Sequence, residues 1–196
     1  MESWAALPDA SLAARGAESE AFLRRGIRSY RDAARYLHEL PYGRNADRAD
    51  FHLVLAEGRG TCSTKHALLA AVAREQDLPV SLTIGIYDMS ERNTPGVGGI
   101  LSAHGLDSLP EAHCYLKKDG VRVDITRSGV SASEPITRFH QEWTIEPSQI
   151  GAHKVALHRQ YLRAWLRERP DLQLSFDELW RIRELCIQAL AQGAAG

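Results

Sequence analysis

The chain has 196 residues, 44% of them hydrophobic and 25% charged, an ordinary composition for a water-soluble protein able to bury one sizeable core. Its 24 basic and 25 acidic residues give a net charge of −1, so no global field recruits nucleic acid or an anionic membrane. Cysteines at 62, 114 and 186 form neither a CxxC metal pair nor an even disulfide framework, the N-terminus lacks a signal-type apolar run, and the longest apolar run, Ala67 to Ala73, is too short to span a membrane; a cytoplasmic protein with no cofactor and no metal is expected.

A first helix is expected from about Glu20 to Leu40, where Phe22, Leu23, Ile27, Tyr30, Ala34 and Leu37 recur at helical spacing and Pro41 follows. Tyr42 to Asp50 reads as a polar loop, and the apolar approach Phe51-His52-Leu53-Val54-Leu55 reads equally as helix or extended chain. In RGTCSTKHALLAAVAREQ, Gly60 supplies unusual backbone angles for a tight turn, Ser63 or Thr64 supplies a cap, and Ala67, Leu68, Leu69, Ala71, Val72 and Ala73 continue as a buried helix. Cys62 then lies exposed in the first turn of a core helix, where unpaired N–H groups carry partial positive charge and lower a thiol's pKa.

Val80, Leu82, Ile84 and Ile86 alternate with Ser81, Thr83, Gly85 and Tyr87, the signature of a half-buried strand. Asp88 to Glu111, with four glycines and two prolines, reads as a long loop, either a substrate-side lid or an irregular insertion without a binding role. Ala112 to Thr126 reads as a β-hairpin turning at Lys117-Lys118-Asp119-Gly120. One face carries Cys114, Leu116, Val121, Val123 and Ile125; the other carries His113, Tyr115, Arg122, Asp124 and Thr126. A four-residue loop puts His113 directly opposite Asp124, a two-residue Asp-Gly loop makes them diagonal neighbours, and either lets the carboxylate orient the imidazole.

The C-terminal third reads as one helix from about Pro147 to Arg169 and another from Phe176 to about Ala191, separated by Pro170-Asp171, with Ser175 and Glu178 as a capping box. Phe176, Leu179, Trp180, Ile182, Leu185, Cys186 and Leu190 mark the core side of the last helix. Lys154, Arg159, Arg163, Arg167 and Arg169 read as a solvated face and not as a nucleic-acid surface, and residues 192–196 as a frayed tail. The simplest organisation is one domain, 1–196, in which 147–191 is a C-terminal helical extension.

Cys62, His113 and Asp124 are therefore the candidate nucleophile, base and orienting acid. His66, four residues after Cys62, is a competing base, or a metal ligand with His52 or His104. A base on the nucleophile's own helix is poorly placed to meet an incoming carbonyl, so His66 reads as solvated or packed, and Cys114 and Cys186 read as core thiols. The Cys62 N–H is the natural first oxyanion donor, and the residues alone do not identify a second.

Three blocks make the chain resemble the transglutaminase-like superfamily over about residues 45–128: Gly60-x-Cys62 opening a helix with Leu69 and Arg74-Glu75 further on, Leu78-Pro79-Val80 leading into a strand, and His113-x-Tyr115-Leu116 followed by Asp124-x-Thr126. The resemblance implies an α+β, papain/transglutaminase-like core, in which a nucleophile-bearing helix packs on an antiparallel sheet flanked by N-terminal and C-terminal helices. It also implies a Cys62–His113–Asp124 triad and a second oxyanion donor upstream of the cysteine, where Tyr42, Asn45 and His52 lie and Tyr42 is the candidate. Thr61 and Ser63 stand where transglutaminases proper often have Gln and Trp, and no calcium-site pattern of spaced carboxylates is visible, so calcium-dependent protein crosslinking is not expected. The expected activity is hydrolysis of a peptide or amide bond in a peptide, protein or small amide substrate through a thioester. Transfer to an amine acceptor, or a noncatalytic peptide- or protein-binding module on the same fold, are the alternatives.

Overall fold

Glycine divides the first helical pattern in the computed structural model, which describes residues 3–126 and 134–192. Helix α1 (Ala17–Arg24) stops ahead of Gly26, whose φ is 78°, and α2 (Tyr30–Glu39) restarts behind Ser29, whose hydroxyl accepts from the Asp32 N–H. One continuous helix was the sequence expectation; the period survives the break because both pieces bury their part of one stripe, including Phe22, Tyr30, Ala34 and Leu37.

The approach to the cysteine is helical, α3 (Leu53–Glu57), closed by Gly58 at φ 63°. Helix α4 (Cys62–Glu75) is capped by Thr61 instead of Ser63 or Thr64: the Thr61 N–H donates to Thr64 Oγ1 at 3.0 Å, and the Thr64 N–H donates to Thr61 Oγ1 at 3.4 Å. Gly60 serves close packing and not a left-handed turn, since a Cβ there would sit 2.9 Å from the Lys65 side chain and 3.0 Å from Thr64 Oγ1.

The architecture is α+β. Among the described residues seven α-helices accompany one antiparallel sheet, ordered β3-β2-β1-β4, from β1 (Ser81–Met89), β2 (Leu109–Lys118), β3 (Val121–Val123) and β4 (Gln141–Ile145). Lys118 pairs with Val121, so the β2–β3 turn is the two-residue Asp119-Gly120, both at positive φ. The expected long loop is shorter at both ends, because β1 runs on to Met89 and β2 begins at Leu109, and it holds α5 (Gly98–Ala103).

The C-terminal third contains a 3-10 turn (Pro147–Ile150), α6 (Ala152–Arg167), a second 3-10 turn (Pro170–Leu172) and α7 (Phe176–Gln192). Ser175 and Glu178 form the expected capping box, the Ser175 N–H donating to Glu178 Oε2 at 2.8 Å and the Glu178 N–H to Ser175 Oγ at 3.2 Å. Residues 193–196 of the expected tail lie outside the described residues.

Leu82, Ile84 and Ile86 of β1, with Ala112, Cys114 and Leu116 of β2, pack on α4 and α2 in one cluster. Tyr87, Met89 and Leu109, from the other sheet face, join Leu101, Leu162 and the α7 residues Leu179, Ile182, Cys186 and Leu190 in a second. β1 is thus buried on both faces and not half-buried as its alternation suggests, because α7 covers the side that carries Tyr87. No helix among the described residues is long and apolar enough to cross a membrane.

Candidate active site

β3 pairs with β2 only from Leu116 to Lys118, and α4, which opens at Cys62, packs against β2. The Cys114 N–H of β2 donates to the Cys62 sulfur. Its neighbour His113 directs its ring at both other groups: Nε2 donates to Asp124 Oδ2 at 2.6 Å, which leaves Nδ1 for the hydrogen bond to Cys62. Asp124 lies one residue beyond β3, the diagonal position that a two-residue turn dictates. Its other oxygen accepts from the Thr126 N–H at 2.9 Å and the Thr126 hydroxyl at 2.5 Å, which fixes the carboxylate's plane.

His66 belongs to the support of these groups and does not compete as base. It is fully buried; its Nδ1–H donates to the Cys62 carbonyl at 2.7 Å, and Nε2 accepts from the Ile125 N–H at 2.9 Å. Burial holds its pKa down at about 4 against the pull of Asp124, so the ring is neutral, as one donor and one acceptor require. With both nitrogens occupied, His66 has none to give a metal.

Sequence reasoning placed Lys154 on a solvated face, but it is 8% exposed and belongs to the site. The buried stripe of α6 is Lys154, His158 and Leu162, while Arg159 and Arg163 lie over the Phe176 ring at 4.7 and 4.2 Å. Lys154 Nζ donates to Ser63 Oγ at 2.7 Å, and that hydroxyl is 3.9 Å from Cys62 Sγ. Burial alone would push the Cys62 thiol up, but the Lys154 ammonium, then the His113 imidazolium and the hydrogen bonds from His113 and the Cys114 N–H, bring it down to about 6. Burial works against the His113 cation too, yet Asp124 and the Cys62 thiolate raise it well above the usual imidazole value. Asp124 is held far below the usual carboxylate range, since His113 outweighs the effect of burial. The arrangement can hold a thiolate and an imidazolium side by side at neutral pH. Cys114 and Cys186 are buried with thiols pushed up by burial, the latter to about 11, as core thiols should be.

Cys62, Ser63, His113, Asp124 and Lys154 line one cavity of about 410 Å³ together with Tyr42, Asn93 to Pro95 of the β1–β2 connection, Phe139, and Trp180 and Arg183 of α7. Phe139 lies on β1 where Gly85 leaves room, in the volume a Cβ would take, and the Arg122 guanidinium sits 4.6 Å from its ring centre. Arg183 grips Glu111 of β2 with two hydrogen bonds, Nε–H to Oε2 at 2.7 Å and Nη2–H to Oε1 at 2.5 Å, a buried pair on the same cavity wall that sequence reasoning missed. Of the upstream oxyanion candidates, Tyr42 lines the cavity, held beside Gly60 by a parallel bridge. Asn45 instead accepts from the Thr64 hydroxyl at 2.8 Å, and His52 pairs with Asp50 and Glu18. Comparison of the chain with protein-family models, with curated proteins and with solved structures gives no match.

Proposed function

We propose that the protein is a cysteine-nucleophile acyl-transfer enzyme on a papain/transglutaminase-like core, hydrolysing an amide bond through a thioester. The observation that carries this reading is that Cys62, His113 and Asp124 line one cavity, with His113 bonded to Asp124 at 2.6 Å, its cation helping to hold the Cys62 thiol down, and the base on a different element from the nucleophile. In the proposed reaction the Cys62 thiolate attacks the amide carbon and the carbonyl electrons move to oxygen, where the Cys62 N–H at the start of α4 offers a donor. The C–N bond breaks as the His113 imidazolium protonates the departing amine, leaving a neutral imidazole and a thioester. Water attacks the thioester, His113 takes its proton, and C–S cleavage releases the acid and restores the thiolate–imidazolium pair. Asp124 stays ionised and keeps the ring's Nδ1 on the sulfur side.

Alkylation of the three cysteines by iodoacetamide, read by peptide mass mapping against pH, tests the reading. Cys62 alone is expected to react with an apparent pKa near 6 instead of the ordinary 9.0, and His113→Ala should move it back upward. A Cys62 that reacts no faster than an ordinary thiol below pH 7 sinks the enzyme reading. Adding a primary amine to a substrate assay separates hydrolysis from transfer, because only transfer yields the new amide.

A further inference from the structure

We propose that Lys154 binds a carboxylate carried by the acyl portion of the substrate, the part that stays on Cys62, so that the amide cleaved belongs to a small compound with a carboxylate on its acyl side. The proposal rests on the acyl-transfer reading of Cys62 and specifies its substrate class. A buried ammonium needs an opposite charge, and it has three protons to give. Among the described residues the only hydrogen-bond partner of Lys154 Nζ is the uncharged Ser63 hydroxyl. Of the groups that face it, Cys114 is a core thiol pushed up by burial, Arg183 is a second cation, and the anions are the Cys62 thiolate and Glu111, the latter already held by both arms of Arg183. When Cys62 becomes a thioester its negative charge is gone, so Lys154 is left on the cavity wall facing a ligand that can supply one.

The cavity around Lys154 supports the same class. About 410 Å³ accommodates a compound of a few residues. Arg44 and Arg48 are the cations of the Tyr42 side; Arg44 is paired with Glu184 at 2.7 Å, whereas Arg48 is exposed and makes no ion pair among the described residues. Arg48 thus leaves one unpaired cation on that side of the cavity, while Glu134 is an acidic residue of the same lining.

Two reagents that deliver the same group to sulfur test this without knowing the substrate. Iodoacetate and iodoacetamide each form a C–S bond at Cys62 and release iodide, and they differ only in carrying a carboxylate or an amide. Their rate ratio at Cys62 cancels the thiolate fraction, so a changed thiol pKa does not disturb it. We expect the ratio in the wild type to exceed that of glutathione by about tenfold, the scale of one charge-assisted contact. It should persist in His113→Ala measured where the thiol is ionised, survive Lys154→Arg, and fall to the glutathione value in Lys154→Met. A wild-type ratio no higher than that of glutathione overturns the carboxylate site, as does a raised ratio that is lost in His113→Ala or kept in Lys154→Met. In those cases fast iodoacetamide reaction leaves the acyl-transfer reading standing. Slow reaction of Cys62 with both reagents below pH 7 overturns both.

Discussion

His66 ties the backbone of the nucleophile to the backbone beside the orienting acid, because the same ring serves the Cys62 carbonyl and the Ile125 N–H. His66→Leu strips both groups of their partner in a buried place and is expected to destabilise the fold by roughly 2–6 kcal/mol in urea unfolding, at about 1–3 kcal/mol for each orphaned group. The ring also sets a pH dependence of known sign. Its folded pKa of about 4 lies below the ordinary 6.5, so the unfolded chain takes up a proton first. Stability from this group is complete above pH 6.5 and is lost as pH falls toward 4; His66→Gln, which cannot titrate, should flatten that part of the urea-midpoint profile. His113 and Asp124 were legible as neighbours because a turn dipeptide and a period of two place them without tertiary knowledge, and Cys62 was legible as a first-turn residue because Gly60 and the apolar run behind it mark a helix start. Lys154 was not, since four arginines follow it on or just beyond the same helix. Only its sharing of a stripe with His158 and Leu162 marks it as inward.

At the scale of elements, the misreadings share a cause: local pattern survives where tertiary context changes its meaning. The stripe through α1 and α2 keeps helical phase across Gly26, so periodicity alone reports one helix. β1 alternates, yet both of its faces are covered, because the residues that cover the second face come from α7 and residues 134–139, far along the chain. Gly85 is where that cover comes closest, and the space it leaves is taken by Phe139. Gly85→Ala pushes the Phe139 ring, the flexible end of a half-buried side chain, away from the strand at a cost of about 1 kcal/mol. The expected consequence is an opened cavity: a bulky maleimide should reach Cys62 several-fold faster in Gly85→Ala than in the wild type, while iodoacetamide, already small enough to enter, changes little. Equal acceleration of both reagents would instead mean that the thiol's ionisation had changed and that Phe139 is no barrier.

The whole molecule holds its site by closing helices over both sheet faces, and the second closure combines an apolar cluster with one buried ion pair. Arg183 of α7 and Glu111 of β2 have side chains 11% and 6% exposed and join through two hydrogen bonds, beside Lys154 and His158. Burial raises a carboxyl's pKa, yet Arg183, followed by His158, brings Glu111 down to about 2 from the ordinary 4.5. Such a pair adds little beyond a well-packed apolar substitute, but losing one partner strands the other charge, at about 3–5 kcal/mol. Glu111→Gln should therefore destabilise the protein by that amount in urea, and Glu111→Leu combined with Arg183→Met should recover much of the loss. The folded pKa is depressed, so this contribution is present above pH 4.5 and lost as pH falls toward 2. The wild type should lose stability through that interval more steeply than Glu111→Gln. Since α7 carries Trp180 and Arg183 into the cavity wall, loosening this clasp should also raise the reactivity of Cys62 toward bulky reagents before the sheet and α4 unfold. Loss of both signals in a single transition would mean that the C-terminal helices and the core unfold as one unit.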